Sequence, residues 1–211
     1  NVTSLDVAQK TRFISVELKF DVDVWAKWAE KAAIDGRCIN FMLMHPELVT
    51  QRVNPRAITT FFNAISSIPK FEDELPLVQM IGEGSVGTDF SSMFTMFINN
   101  KLDKMISPED LLTKDEAYVK GALLSSVGEG DDFRADLSSV IATRVINYAL
   151  TVAEKGSVPK AMIDRLAKVT TEFDGFTNDL RYYMVKEIVN GNKVKFSALM
   201  ADTAVVKMAI Q

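Results

Sequence analysis

Two arginines and a glycine triplet are the residues of this 211-residue chain whose type and spacing could do chemistry. Arg56 stands in the run Asn54-Pro55-Arg56-Ala57. Asn54 is a good helix N-cap and Pro55 suits the first helical position, so Arg56 falls in a first turn. A cation there faces the positive end of the helix dipole, at a cost of roughly 0.3–1 kcal/mol relative to an acidic residue. The backbone N–H groups of that turn and the guanidinium would together suit a phosphate. The alternative is that Arg56 points into water or pairs with an acid such as Glu47. Arg12 sits where a helix-like lead-in, SLDVAQKT, meets the segment RFISVELKF. From such a junction an arginine projects off a sheet end toward a neighbouring molecule. The triplet, Gly82-x-Gly84-x-x-Gly87, has the letter pattern of a dinucleotide-binding turn.

That pattern needs a βαβ unit whose second strand delivers an acidic residue about 20 positions on. Asp103 has a tolerable spacing, but it lies in NNKLDKMISPED, which reads as a helix end and turn. The expected role of the three glycines is therefore a sharp interhelical turn with close packing. Other chemistries have too few residues. The one cysteine, Cys38, lies in the apolar run RCINFML and reads as a buried thiol, which excludes a disulfide framework within the chain. One histidine, His45, precedes Pro46 at a helix end. With no cysteine cluster beside it, this argues against a catalytic zinc or a Ser-His-Asp triad, and no metal site is expected.

The chain is 47% hydrophobic and 25% charged, within the range of globular proteins, and has a net charge of -4 that its two halves share evenly. Basic residues are interspersed with acids, the pattern of a solvated face, which speaks against nucleic acid as a partner. No run of 18 apolar residues suggests a membrane span and no signal peptide is visible, so a cytoplasmic location is expected.

The elements that must position Arg12 and Arg56 are mainly helical. Residues 12–20 alternate, with Ile14, Val16, Leu18 and Phe20 on one side, and read as a half-buried strand. A lone strand leaves backbone groups without partners, so it is expected to belong to a sheet supplied from elsewhere. The chain thus reads as cut from a larger protein, and its first residue, Asn rather than Met, agrees. After the strand come a helix capped by Asp21 or Asp23 with Trp25, Trp28, Ala29 and Ala32 on one face, and a buried helix in CINFMLM. The Asn54-capped helix presents Ile58, Phe61, Phe62 and Ile65, and a further helix carries Phe90, Met93, Phe94, Phe97, Ile98 and Leu102. Ser107 and Pro108 open a second helical section, with Asp110 at capping-box spacing. Its longest stripe runs Phe133, Leu137, Val140, Ile141, Val145, Tyr148, Val152 and ends at Lys155-Gly156. Shorter amphipathic stretches follow at 158–173, 176–190 and 197–210. The expected fold is mainly α: a helical bundle over 21–106 and a second helical subdomain over 107–211, plus one strand of an absent α/β core in residues 1–20.

Taken together, LDVAQKTRFISVELKFDVDVWAKWA, INFMLMHPEL and VNPRAITTFFNAI resemble the C-terminal part of MoxR-like AAA+ ATPases. In that family an AQ-x-x-RF segment leads into the last strand of the nucleotide-binding core. A small helical lid follows, carrying the sensor-2 motif, usually Ser-Pro-Arg-Ala. Residues 107–211 resemble, more loosely, an appended helical domain that clamp-loader-like proteins use for oligomerisation. The resemblance implies that Arg56, with Asn54 in its motif, reads the γ-phosphate of ATP bound in its own subunit. It also implies that Arg12 is an arginine finger inserted into the neighbouring subunit's site. Two departures are that Thr11 stands where an acidic residue often precedes the finger, and that Asn54 replaces the usual Ser.

The implied cofactors are ATP and Mg2+ in the full-length protein. This chain has no G-x-x-x-x-G-K-[ST] loop, so alone it is expected neither to hold them nor to hydrolyse ATP. The implied partners are neighbouring subunits of a homo-oligomeric ring and a protein client to be remodelled or matured. The alternative reading is a non-enzymatic helical scaffold that binds another protein through residues 107–211.

Overall fold

The computed structural model describes Arg12 and residues 19–51, 53–100 and 105–210, and among them it is helical with no β-strand. Of the strand expected over 12–20, Arg12 lies in a turn and Lys19 and Phe20 have no regular structure, while residues 13–18 lie outside the described part. No helix among the described residues is long and apolar enough to cross a membrane.

The first five helices are α1 (Val22–Lys31), α2 (Gly36–Met44), α3 (Pro55–Ile65), α4 (Leu75–Ser85) and α5 (Thr88–Asn99). Local chemistry starts the first three. Asp21 accepts from the N–H groups of Asp23 and Val24, Asp35 from that of Arg37, and Asn54 from that of Ala57. Each cap satisfies donors that a helix start leaves without partners. These helices close over an aromatic core. The Phe41 ring meets Phe90, Phe94 and Phe97 edge-on at centroid distances of 5.2, 5.0 and 5.4 Å. Each such pair contributes about 0.5–1.5 kcal/mol beyond its burial. Ile58, Phe61, Phe62 and Ile65 are buried as their spacing requires. The thiol of Cys38 is also buried, and burial pushes it well above its ordinary value.

The glycine triplet does not form the turn. Gly82 and Gly84 lie inside α4, and only Gly87, at φ 90°, occupies the bend into α5. The expectation of close packing holds for Gly82, where a Cβ would come within 2.6 Å of Ser91 Cβ and 3.2 Å of the Phe61 ring. Gly82 thus lets α4 lie against α3 and α5, and the cost of a mid-helix glycine is accepted at that crossing. Gly84 has open space beside it.

The second group comprises α6 (Pro108–Thr113), α7 (Glu116–Val127), α8 (Ala135–Lys155), α9 (Lys160–Thr171), α10 (Asn178–Gly191), α11 (Ser197–Ala201) and α12 (Thr203–Ile210). Ser107 caps α6 through the Asp110 N–H, and Pro108 opens it. The helix α8 is the axis. Leu137, Ile141, Val145 and Ala149 on it join Leu111, Leu123, Leu166, Phe173, Met184 and Ile188 in one apolar cluster. The stretch 197–210 is two helices rather than one, because Asp202 leaves the helix and caps the next through the N–H groups of Ala204 and Val205.

The two groups have separate apolar clusters, and the side chains packed against both are the partly buried Met44 and Met105. Besides these two methionines, what joins them is polar. Arg144, on the inner side of α8, donates from Nε to Glu30 Oε1 on α1 at 2.7 Å and from Nη1 to Asn40 Oδ1 on α2 at 3.1 Å. Its side chain is 9% exposed and that of Glu30 11%. Gly36 lies under the guanidinium so closely that a Cβ there would come within 2.7 Å of Nη2. Lys31 pairs with Glu154 at 2.6 Å farther along the same seam, at an exposed place where such pairs contribute little.

Asp35 stands beside this joint. Burial alone would raise its carboxyl, but the side-chain and backbone hydrogen bonds from Arg37, with the charges of Arg37 and Arg144, leave it below the ordinary 3.8. A depressed folded value means that the stabilisation is complete above the ordinary carboxylate range. It is lost as pH falls through the lowered value. Replacing Asp35 with Asn should flatten the acid limb of a stability-versus-pH curve measured by urea unfolding, while the neutral-pH plateau drops. Separately, Gly82→Ala should destabilise the chain by about 1–3 kcal/mol through overpacking, whereas Gly84→Ala should leave it unchanged or stabilise it, both read by chemical denaturation.

Candidate functional site

The sequence places Arg56 in the first turn of a proline-opened helix, and the structure does so too. Asn54 is extended at φ -89° and ψ 164°, its Oδ1 accepts from Ala57 N–H at 3.0 Å, and Pro55 begins α3. No acidic residue lies in that turn. Arg56 is exposed, and among the described residues its guanidinium has neither a hydrogen bond nor an ion pair; Glu47 instead meets His45 at 3.2 Å. The charge is therefore presented outward and uncompensated.

The helix start itself offers an anion little. Pro55 has no N–H, Ala57 N–H is taken by Asn54 Oδ1, and Ile58 N–H is taken by Asn54 O at 3.1 Å. The turn's backbone was expected to cradle a phosphate together with the guanidinium. The structure leaves Arg56 to act mainly by its own five donors.

Beside Arg56 runs a groove of about 410 Å³, lined by Trp25, Trp28, Pro55, Arg56, Thr59 and Thr60. Thr59 and Thr60 donate their hydroxyls to the helix carbonyls of Pro55 and Arg56, at 2.8 and 2.9 Å, so their methyl groups are left to the groove. The indoles of Trp25 and Trp28 lie 6.4 Å apart, tilted at 51°. Trp25 is 7% exposed and packs against Phe62, with its Nε1–H buried and without a partner. Trp28 is 47% exposed. The helical face read as Trp25, Trp28, Ala29 and Ala32 is thus turned by about one residue: Trp25, Ala26 and Ala29 go inward, while Trp28 and Ala32 face solvent. An aromatic wall next to a free planar cation suits a ligand with an anionic group and a flat or apolar part.

Asn54 and Arg56 are brought together by α3. Arg12 is exposed and does not line this groove. Two further features escaped the sequence reading. Helical spacing puts Trp28 on one face with Trp25, but it does not show that Trp28 stays at the surface beside Arg56. Arg144 was passed over within the apolar run SSVIATRVINYAL, where a lone arginine is the signal of a buried ionic partner. Among the described residues no group of three or more His, Cys, Asp or Glu could hold a metal ion. No protein-family model, curated protein or solved structure matches the chain.

Because Asn54 supplies the side-chain cap of α3, Asn54→Ala should cost about 1 kcal/mol of stability in denaturant unfolding. Arg56→Ala, which removes an uncompensated cation from a helix start, should be neutral or stabilising in the same measurement.

Proposed function

We propose that this chain is the C-terminal part of an AAA+ ATPase of MoxR-like type, in which residues 1–20 end the nucleotide-binding core, 21–106 form the lid and 107–211 an oligomerisation domain. The observation that carries the reading is Arg56. It stands in the Asn54-Pro55-Arg56-Ala57 run that resembles a sensor-2 motif, lies on a helix start, is exposed, and is bound to no other side chain among the described residues. A structural arginine would ordinarily be spent on a carboxylate, as Arg37 and Arg144 are. The helical character of the lid segment agrees with the same reading.

In phosphoryl transfer the developing charge spreads over the equatorial oxygens of the γ-phosphate. A planar cation that cannot deprotonate stabilises it without proton exchange. Arg56 would serve the nucleotide of its own subunit. An exposed Arg12 would reach the site of the next subunit in a homo-oligomeric ring, so that hydrolysis depends on assembly. The full-length protein, with ATP and Mg2+ held largely by residues upstream of this chain, would use the cycle to remodel or mature a protein client in the cytoplasm.

The test is ATP turnover by the protein at its natural length, with the assembly state checked for each variant. Arg56→Ala and Arg12→Ala should each lower turnover by about a hundredfold or more while the oligomer persists. Turnover unchanged in both variants would remove the assigned roles. An inactive parent protein would leave the non-enzymatic helical scaffold as the better reading.

A further inference from the structure

The contact between the two helical groups differs in kind from their interiors. Each has its own closed apolar cluster, bridged by two partly buried methionines, Met44 and Met105. The seam between α1 and α8 is instead a polar stripe. Arg144, Asn147, Thr151 and Glu154 fall on one face of α8 by their three- and four-residue spacing. The two ends of that stripe bind α1: Arg144 through Glu30 and Glu154 through Lys31. Between these ends lie Asn147 and Thr151, each 6% exposed, with Asn147 Nδ2 and Thr151 Oγ1 buried and unpartnered.

A seam built from these groups gains little from its polar contacts. A buried ion pair loses hydration when it forms and recovers it when it opens, so its net contribution is small. Apolar contacts of similar volume would hold as well or better. Buried amide and hydroxyl groups without partners add a cost that only water can relieve. Removing Glu30 is different, because it leaves Arg144 a buried charge without its ion-pair partner, supported only by Asn40 and the nearby Asp35 carboxylate. The lowest-cost escape for a stranded Arg144 is for α1 and α8 to separate, since the two apolar clusters share only the partly buried Met44 and Met105.

We propose that the α1/α8 seam is a releasable joint: the N-terminal helices dock on the C-terminal helices through the Arg144–Glu30–Asn40 cluster and separate from them with both cores intact. Docking is specific because the guanidinium fits over Gly36 and reaches two acceptors on two different helices, so that only one orientation satisfies it. Opening exposes the polar face of α8 and the Glu30 side of α1, which water solvates readily, together with the partly buried Met44 and Met105. The proposal does not depend on the chain being part of an ATPase.

The test is a distance measurement between spin labels at Glu83→Cys on α4 and Lys186→Cys on α10, both exposed in the full chain. Cys38, fully buried, stays unlabelled. Amide exchange is followed in the same samples. Glu30→Ala should raise the long-distance population about tenfold or more. Exchange in α3–α5 and α9–α10 should meanwhile change by less than about threefold. The double variant Glu30→Leu with Arg144→Met, which replaces the pair by apolar side chains, should return the labels to the short distance. An unchanged distance in Glu30→Ala would overturn the proposal, as would loss of protection in both cores together. A double variant that opens as far as the single one would do the same.

Discussion

The way the N-terminal helices α1 and α2 sit on α8 depends on one buried guanidinium. Arg144 lies at the middle of the longest helix, which is also the axis of the C-terminal core, and it reaches out of that core to Glu30 and Asn40. A charge in that place must be neutralised and hydrogen-bonded, because water cannot reach it. The requirement gives the buried Asn40 its partner and explains why position 36 carries no side chain. Asp35 follows from the same constraint. It caps α2 beside the joint, grips Arg37 at 2.6 Å, and has its carboxyl held down in part by the Arg144 charge.

Around this joint the stability is distributed in two apolar parts. The N-terminal part is aromatic and closely interlocked, with Phe41 at the meeting point of α2 and α5, and Arg37 stacked over the Phe71 ring at 3.6 Å on its outer side. The C-terminal part is aliphatic and wrapped about α8. Its chain ends are secured by long basic side chains on bare carbonyls: Lys195 Nζ donates to Ala153 O and Gly156 O at the end of α8, and Arg181 to Thr171 O and Phe173 O at the end of α9. These contacts satisfy the last carbonyls of each helix where no glycine motif does so.

The surface at the start of α3 contrasts with these interiors. There the cation is left without a carboxylate, and the aromatic side chain next to it is left half in water. Both choices cost something locally, and such costs are commonly retained where a ligand supplies the missing contact. That contrast with the paired Arg37 and Arg144 is what the proposal for Arg56 rests on.

The sequence by itself determined the helices whose signals are local. Asp21, Asn54 and Ser107 announce their caps, Pro55 and Pro108 their first turns, and the spacing of Ile58, Phe61, Phe62 and Ile65 the buried face, because each is set within a turn or two of backbone. It also placed Asn54 and Arg56 together, since one helix start holds both. Tertiary structure decided what depended on distant neighbours. Gly82 lies inside a helix, and what requires a glycine there is the approach of Phe61 and Ser91, not a bend of the chain. Trp28 faces water while Trp25, on the same helix, turns inward against Phe62. Arg144 became the joint because its partners, more than a hundred residues earlier in the chain, arrive only when the two cores meet. Local patterns record which face of a helix is apolar, but the partner of a buried charge is a property of the whole fold.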